Sequence, residues 1–83
     1  MRIRYFAWLK QRVGLAEEEC EPPPEVRTVG ELKAWLGARH PRFAEACAAP
    51  GLVRAAVDQE FAPDDQPIGR AREVAFFPPV TGG

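Results

Sequence analysis

Chemistry is concentrated at the end of the chain, where Val74-Ala75-Phe76-Phe77 runs into Pro78-Pro79-Val80-Thr81-Gly82-Gly83. A chain ending on two glycines offers its own α-carboxylate as the most accessible reactive group. Glycine has no Cβ, so a nucleotide or another protein's backbone can come close to that carbonyl. Pro78 and Pro79 fix φ and push the residues before them into extended geometry. Fully extended, Phe77 to Gly83 reaches roughly 20 Å beyond a folded body, at about 3.3 Å per residue. That is far enough to enter a tunnel in a partner. A carboxylate is a poor electrophile and needs a better leaving group before anything can be attached to it, which takes ATP. The chain has no G-x-x-x-x-G-K phosphate loop and no paired acid–base residues near its end. It must borrow both activities from partners, which predicts a carrier and not a catalyst. The competing reading is an inert terminus, since glycine and proline are common in frayed chain ends.

Other nucleophiles are few. Cys20 and Cys47 stand far apart and neither belongs to a C-x-x-C pair, so a metal site lacks ligands at workable spacing. A disulfide is disfavoured in the cytosol. Cys47 is expected in the core, where free cysteines often pack. A self-contained hydrolase pairing Cys47 with His40 ranks lowest, because Pro41 between them breaks helical register.

With 83 residues there is one domain, barely large enough for a sizeable core. Eleven Lys and Arg balance twelve Asp and Glu, for a net charge of −1. The chain has no basic block and one acidic cluster, Glu17-Glu18-Glu19 with Glu21. Phosphate binding relies on clustered Lys and Arg, so nucleic acid is excluded as the main partner. No stretch has the apolar length of a signal peptide or a membrane span, and a cytoplasmic location is expected.

The elements that must hold the tail follow from periodicity. Over Arg2 to Ala7, Ile3, Tyr5 and Ala7 alternate with Arg2, Arg4 and Phe6, the pattern of a half-buried strand. Trp8, Leu9 and Val13 switch to helical spacing, and Gly14 ends that turn. Glu17 to Glu21 reads equally as an exposed strand returning beside the first or as a solvated loop; Pro22-Pro23-Pro24 stops either. Thr28 and Glu31 have the capping-box spacing ahead of Leu32, Trp35 and Leu36, predicting a helix to about Arg39. His40 precedes Pro41 and is expected as a helix-end residue; a second short helix starts at Pro41 with Phe43 and Cys47 inward. Leu52 to Val57 alternates again, Asp58-Gln59 makes a tight connection to a short strand through Phe61, and Arg72 to Phe77 closes the fold. Taken alone, this order supports a small α+β domain.

The segment Glu73-Val74-Ala75-Phe76-Phe77-Pro78-Pro79-Val80-Thr81-Gly82-Gly83 resembles the C-terminal signature of the small, sulfur-carrying subunits of molybdopterin synthase, relatives of ubiquitin by fold. The rest of the chain agrees in length and element order. The resemblance implies a ubiquitin-like β-grasp fold: a mixed sheet, one main helix, a body over 1–77 and an extended tail over 78–83. It further implies that an adenylyltransferase like the ubiquitin-activating enzymes uses ATP to adenylate the Gly83 carboxylate. A sulfurtransferase donor then supplies the sulfur of a thiocarboxylate. Pro78, Pro79, Val80, Thr81 and Gly82 would thread into the large, catalytic synthase subunit in a two-plus-two heterotetramer. There Gly83 would give up its sulfur to a cyclic pterin phosphate, forming the dithiolene of molybdopterin. No cofactor or metal is expected on this chain. Alternatives are a carrier for another pathway (thiamine thiazole or a ubiquitin-related modifier) and a plain ubiquitin-like binding module. The Phe-Phe-Pro-Pro segment favours the molybdopterin type.

If Ile3, Tyr5, Val74 and Phe76 face the helix, Phe6 and Phe77 must face outward, with Phe61 joining them from the neighbouring hairpin. Three phenylalanines on an open sheet face beside the tail would mark an interaction site. The resemblance implies that the matching positions dock on the activating enzyme and the large subunit. Two places depart from the family pattern: Ala71-Arg72 replaces the usual Gly-Asp, with Gly69 upstream, and Asp58 stands in place of Asn. The first predicts a different turn into the last strand.

Overall fold

A computed structural model describes residues 1–79. The elements run β1 (Arg2–Tyr5), α1 (Trp8–Val13), β2 (Glu17–Glu19), α2 (Val29–Arg39), α3 (Pro41–Cys47), β3 (Arg54–Val57), β4 (Glu60–Ala62) and β5 (Glu73–Phe77). The strands form one sheet in the order β2-β1-β5-β3-β4. First and last strands pair in parallel, Ile3 against Val74 and Tyr5 against Phe76, and every other pairing is antiparallel.

Alternation decides the two faces. Ile3, Tyr5, Val74 and Phe76 point to one side, and with Leu9, Val29, Leu32, Leu36 and Phe43 they form a core almost closed to water. The helix α2 starts where its capping box says it should: the Glu31 amide donates to Thr28 Oγ1 at 3.2 Å, and the Thr28 amide donates back to Glu31 Oε1 at 3.1 Å. It ends at His40, ahead of Pro41, and α3 follows at once. The two helices approach closely at Gly37, where an added Cβ would meet the Ala44 Cβ at 3.0 Å.

Two expectations change. β1 stops at Tyr5, and Ala7, expected inward, is exposed with φ 56°, because the chain must turn sharply to start α1 at Trp8. On α3 the deeply buried residue beside Phe43 is Ala46, while Cys47 is half-buried at the edge of the core. Cys20 is the buried thiol. The open choice at Glu17 to Glu21 resolves as strand: β2 pairs with β1, setting Glu17 and Glu19 beside Arg4 and Arg2.

Candidate functional site

The site is built outward from β5. This strand lies in the middle of the sheet, hydrogen-bonded to β1 on one side and β3 on the other. Its penultimate residue, Phe76, is fully buried, with its ring 5.1 Å from that of Phe43 and 6.3 Å from that of Tyr5. The backbone leaving the sheet at Phe77 is thus anchored by ladders on both sides and an aromatic cluster beneath. Pro78 and Pro79 continue from it outside any regular element. Val80, Thr81, Gly82 and Gly83, which carry the expected reactive end, lie outside the described residues.

Strand alternation places Phe77 on the sheet face opposite the helices. Phe77 is half-buried there and packs at 5.7 Å, ring to ring, against Phe61 on β4. Phe61 is 83 % exposed. Such exposure in a large apolar side chain is costly to solubility unless something covers it. Together with Arg54, Pro63 and Pro79 the two rings line a groove of about 480 Å³ at the point where the chain leaves the sheet. Phe6 faces the same side from the end of β1 and is also exposed, with the Arg4 guanidinium 4.8 Å over its ring. The three phenylalanines therefore share a face, though a ring pair joins only Phe61 and Phe77.

The other end of this face is polar. Arg2 lies 3.5 Å from both Glu17 and Glu19, and Arg4 lies 3.9 Å from Glu73. Charges there are mutually matched, which leaves the aromatic end as the part with unsatisfied surface.

Two arrangements were not legible in the sequence. The carboxylate of Asp58 accepts from the amides of Arg72 and Glu73, both at 3.0 Å, while its own amide donates to the Glu73 carbonyl at 2.9 Å. Asp58 and Gln59 both have positive φ, so the β3–β4 turn itself carries the clamp on the start of β5. With Gly69 at φ 48°, it shapes the turn that Ala71-Arg72 left in question. The signal was present in Asp58 as a residue tolerant of positive φ, but its partner lay 14 residues away. The second arrangement joins Tyr5, Glu18 and His40. The Tyr5 hydroxyl donates to Glu18 Oε2 at 2.7 Å, and His40 Nε2 lies 2.7 Å from the same oxygen. Burial pushes the Tyr5 phenol up, and its bond to the Glu18 carboxylate pushes it further. Burial likewise raises the Cys20 and Cys47 thiols, which keeps both protonated and poorly nucleophilic. His40 is spent on Glu18, so no Cys47–His40 pair forms. Among the described residues no group of three or more His, Cys, Asp or Glu is placed to hold a metal ion. No helix among them is long and apolar enough to cross a membrane.

A parallel pair of terminal strands at the centre of a mixed sheet, crossed on one face by a capped helix, defines a ubiquitin-like β-grasp domain. A family profile described as the ThiS family matches residues 3–83, and the chain belongs to that family. It is 36 % identical over 83 residues to the molybdopterin synthase sulfur carrier subunit of Escherichia coli (strain K12), covering 100 % of this chain and 99 % of that protein. Among solved structures it is similar to a putative molybdopterin converting factor, subunit 1, from Pyrococcus furiosus. That likeness has a TM-score of 0.78 and 31 % identity, over 95 % of each chain. SAMP1 from Haloferax volcanii superposes with the same TM-score of 0.78 at 23 % identity, over 99 % of this chain and 97 % of that one, a likeness of fold alone.

Proposed function

We propose that this protein is the sulfur-carrier subunit of a molybdopterin synthase, with the Gly83 carboxylate as its working group. The carboxylate attacks the α-phosphate of ATP on an activating adenylyltransferase, releasing pyrophosphate and leaving a glycyl adenylate. A persulfide on a sulfurtransferase displaces AMP to give an acyl disulfide, and a partner thiol then cleaves its S–S bond, releasing the thiocarboxylate and leaving a disulfide on the partner. The tail, Pro78 to Gly82, then enters the large synthase subunit, where the sulfur passes to a cyclic pterin phosphate. The catalytic groups for each step belong to the partners. This chain supplies the cargo end and the recognition surface, working in the cytoplasm and assembling two-plus-two with the large subunit.

The observation that carries this reading is the full-length likeness to a sulfur carrier subunit. The geometry supports it: the last strand is fixed at the sheet centre, and the aromatic face of Phe6, Phe61 and Phe77 lies beside its end. A docking face next to the tail lets one binding event both hold the body and aim the carboxylate, the positioning that makes an attached reactant effective. Deletion of Gly83 tests the reading. With the large subunit and a thiocarboxylate-loading system, the shortened chain is expected to form no molybdopterin, and retained formation would overturn the assignment.

A further inference from the structure

Among the basic residues of the outer sheet face, Arg54 is set apart. Arg2 and Arg4 each have a glutamate within 4 Å. Arg54 is exposed on β3, directly in register with Phe77, and no carboxylate of the described residues lies within ion-pair distance of it. The acidic residue that lines an adjoining depression with it, Asp64, is occupied by Lys33 Nζ at 2.7 Å. Nor is Arg54 stacked on a ring, whereas Arg4, Arg12 and Arg39 each lie over an aromatic side chain. Among the described residues it therefore stands as an uncommitted guanidinium on the rim of the groove formed by Phe61, Phe77 and Pro79.

We infer that Arg54 is a specificity-determining residue that pairs with an acidic side chain on the large synthase subunit when the aromatic face docks. This rests on the reading that Phe6, Phe61 and Phe77 form that docking face. Docking would bury the groove and strip water from its rim. An arginine left unpaired there would oppose binding, whereas a carboxylate opposite would gain a charge-assisted contact. Apolar burial supplies affinity with little selectivity; a single charge at the root of the tail selects the partner and its orientation.

The test is calorimetric titration of the full chain and its R54K, R54Q and R54E variants against the large subunit at low and high salt. Among the described residues Arg54 has no partner to lose, so all variants are expected to melt within about 2 °C of wild type. R54Q is expected to bind about fivefold more weakly with a flatter salt dependence. R54E is expected to lose about a hundredfold, from a like charge facing the partner's carboxylate, and R54K to stay within about threefold. R54E binding like wild type would overturn the pairing while leaving the docking face intact. Equal losses for R54Q and R54E with unchanged salt dependence would assign the effect to packing and also overturn it. Failure of the wild-type chain to bind the large subunit at all would strike the functional reading itself.

Discussion

Replacing Phe61 by alanine separates docking from folding more cleanly than any other change on the sheet. The ring is 83 % exposed and sits on the edge strand β4, so the isolated domain gains little from it. Its one ring partner is Phe77, at 5.7 Å, a contact worth about 0.5 kcal/mol. Losing that should lower the melting temperature by about 3 °C in a domain of this size. Binding is affected far more. A docked phenylalanine hides about 160 Å² that is now wet, and truncation removes about 120 Å² of it, about 3 kcal/mol at ~25 cal/mol/Å². Allowing for incomplete burial at a groove rim, about 2 kcal/mol remains, roughly thirtyfold in Kd. Paired measurements decide it: calorimetric titration with the large subunit, and thermal unfolding of the chain alone. An F61A variant that binds like wild type, or one that melts many degrees lower, would refute the assignment of Phe61 to a docking surface.

Five further substitutions, at four positions, probe the scaffold. Ala7→Gly should stabilise the protein by about 1 kcal/mol, since an exposed alanine at φ 56° is strained where glycine is not; a lower urea midpoint would contradict this. Thr28→Ala removes the side-chain cap of α2 and should cost about 1 kcal/mol, read as a shifted denaturant midpoint with an unchanged slope. Asp58→Asn keeps an oxygen for the Arg72 and Glu73 amides and the tolerance of positive φ, so it should change stability by less than about 0.5 kcal/mol. Asp58→Ala loses both and should cost about 2 kcal/mol, and equal effects would argue against the clamp. The Tyr5 phenol is raised by burial, so its contribution to stability is complete below its ordinary pKa of about 10 and is lost as the pH climbs above that. The raised Cys20 and Cys47 thiols start the alkaline decline lower, near pH ~8.5, so Tyr5→Phe should flatten only the part above about pH 10. An unchanged slope there in Tyr5→Phe would contradict it.

What could be read from the sequence was what short-range rules govern. Thr28 and Glu31 announce a capping box because both partners fall within one turn. Ile3, Tyr5, Val74 and Phe76 declare their face because strand alternation is local, and Phe6, Phe61 and Phe77 take the other face by the same rule. Gly14 ends α1 in the left-handed conformation expected of it. The parallel pairing of β1 with β5 came from likeness to a family, since periodicity cannot say which strands meet. Two of the missed features depend on pairs distant in the chain. Glu18 meets His40 across 22 residues only because β2 pairs with β1, and a run of glutamates has no period to reveal that. Asp58 clamps the start of β5 only because its turn and that strand come together through β3. The exchange of Cys47 for Ala46 in the core is one residue of rotation on a seven-residue helix, finer than apolar spacing resolves there.

The central claim is that the carboxylate of Gly83 carries the sulfur, and intact mass spectrometry tests it most directly. The chain, produced together with its activating enzyme and a sulfur donor, should gain about 16 Da, oxygen exchanged for sulfur, and fragmentation should place that gain on Gly83. An unchanged mass under these conditions, or a gain located on Cys20 or Cys47, would contradict the account.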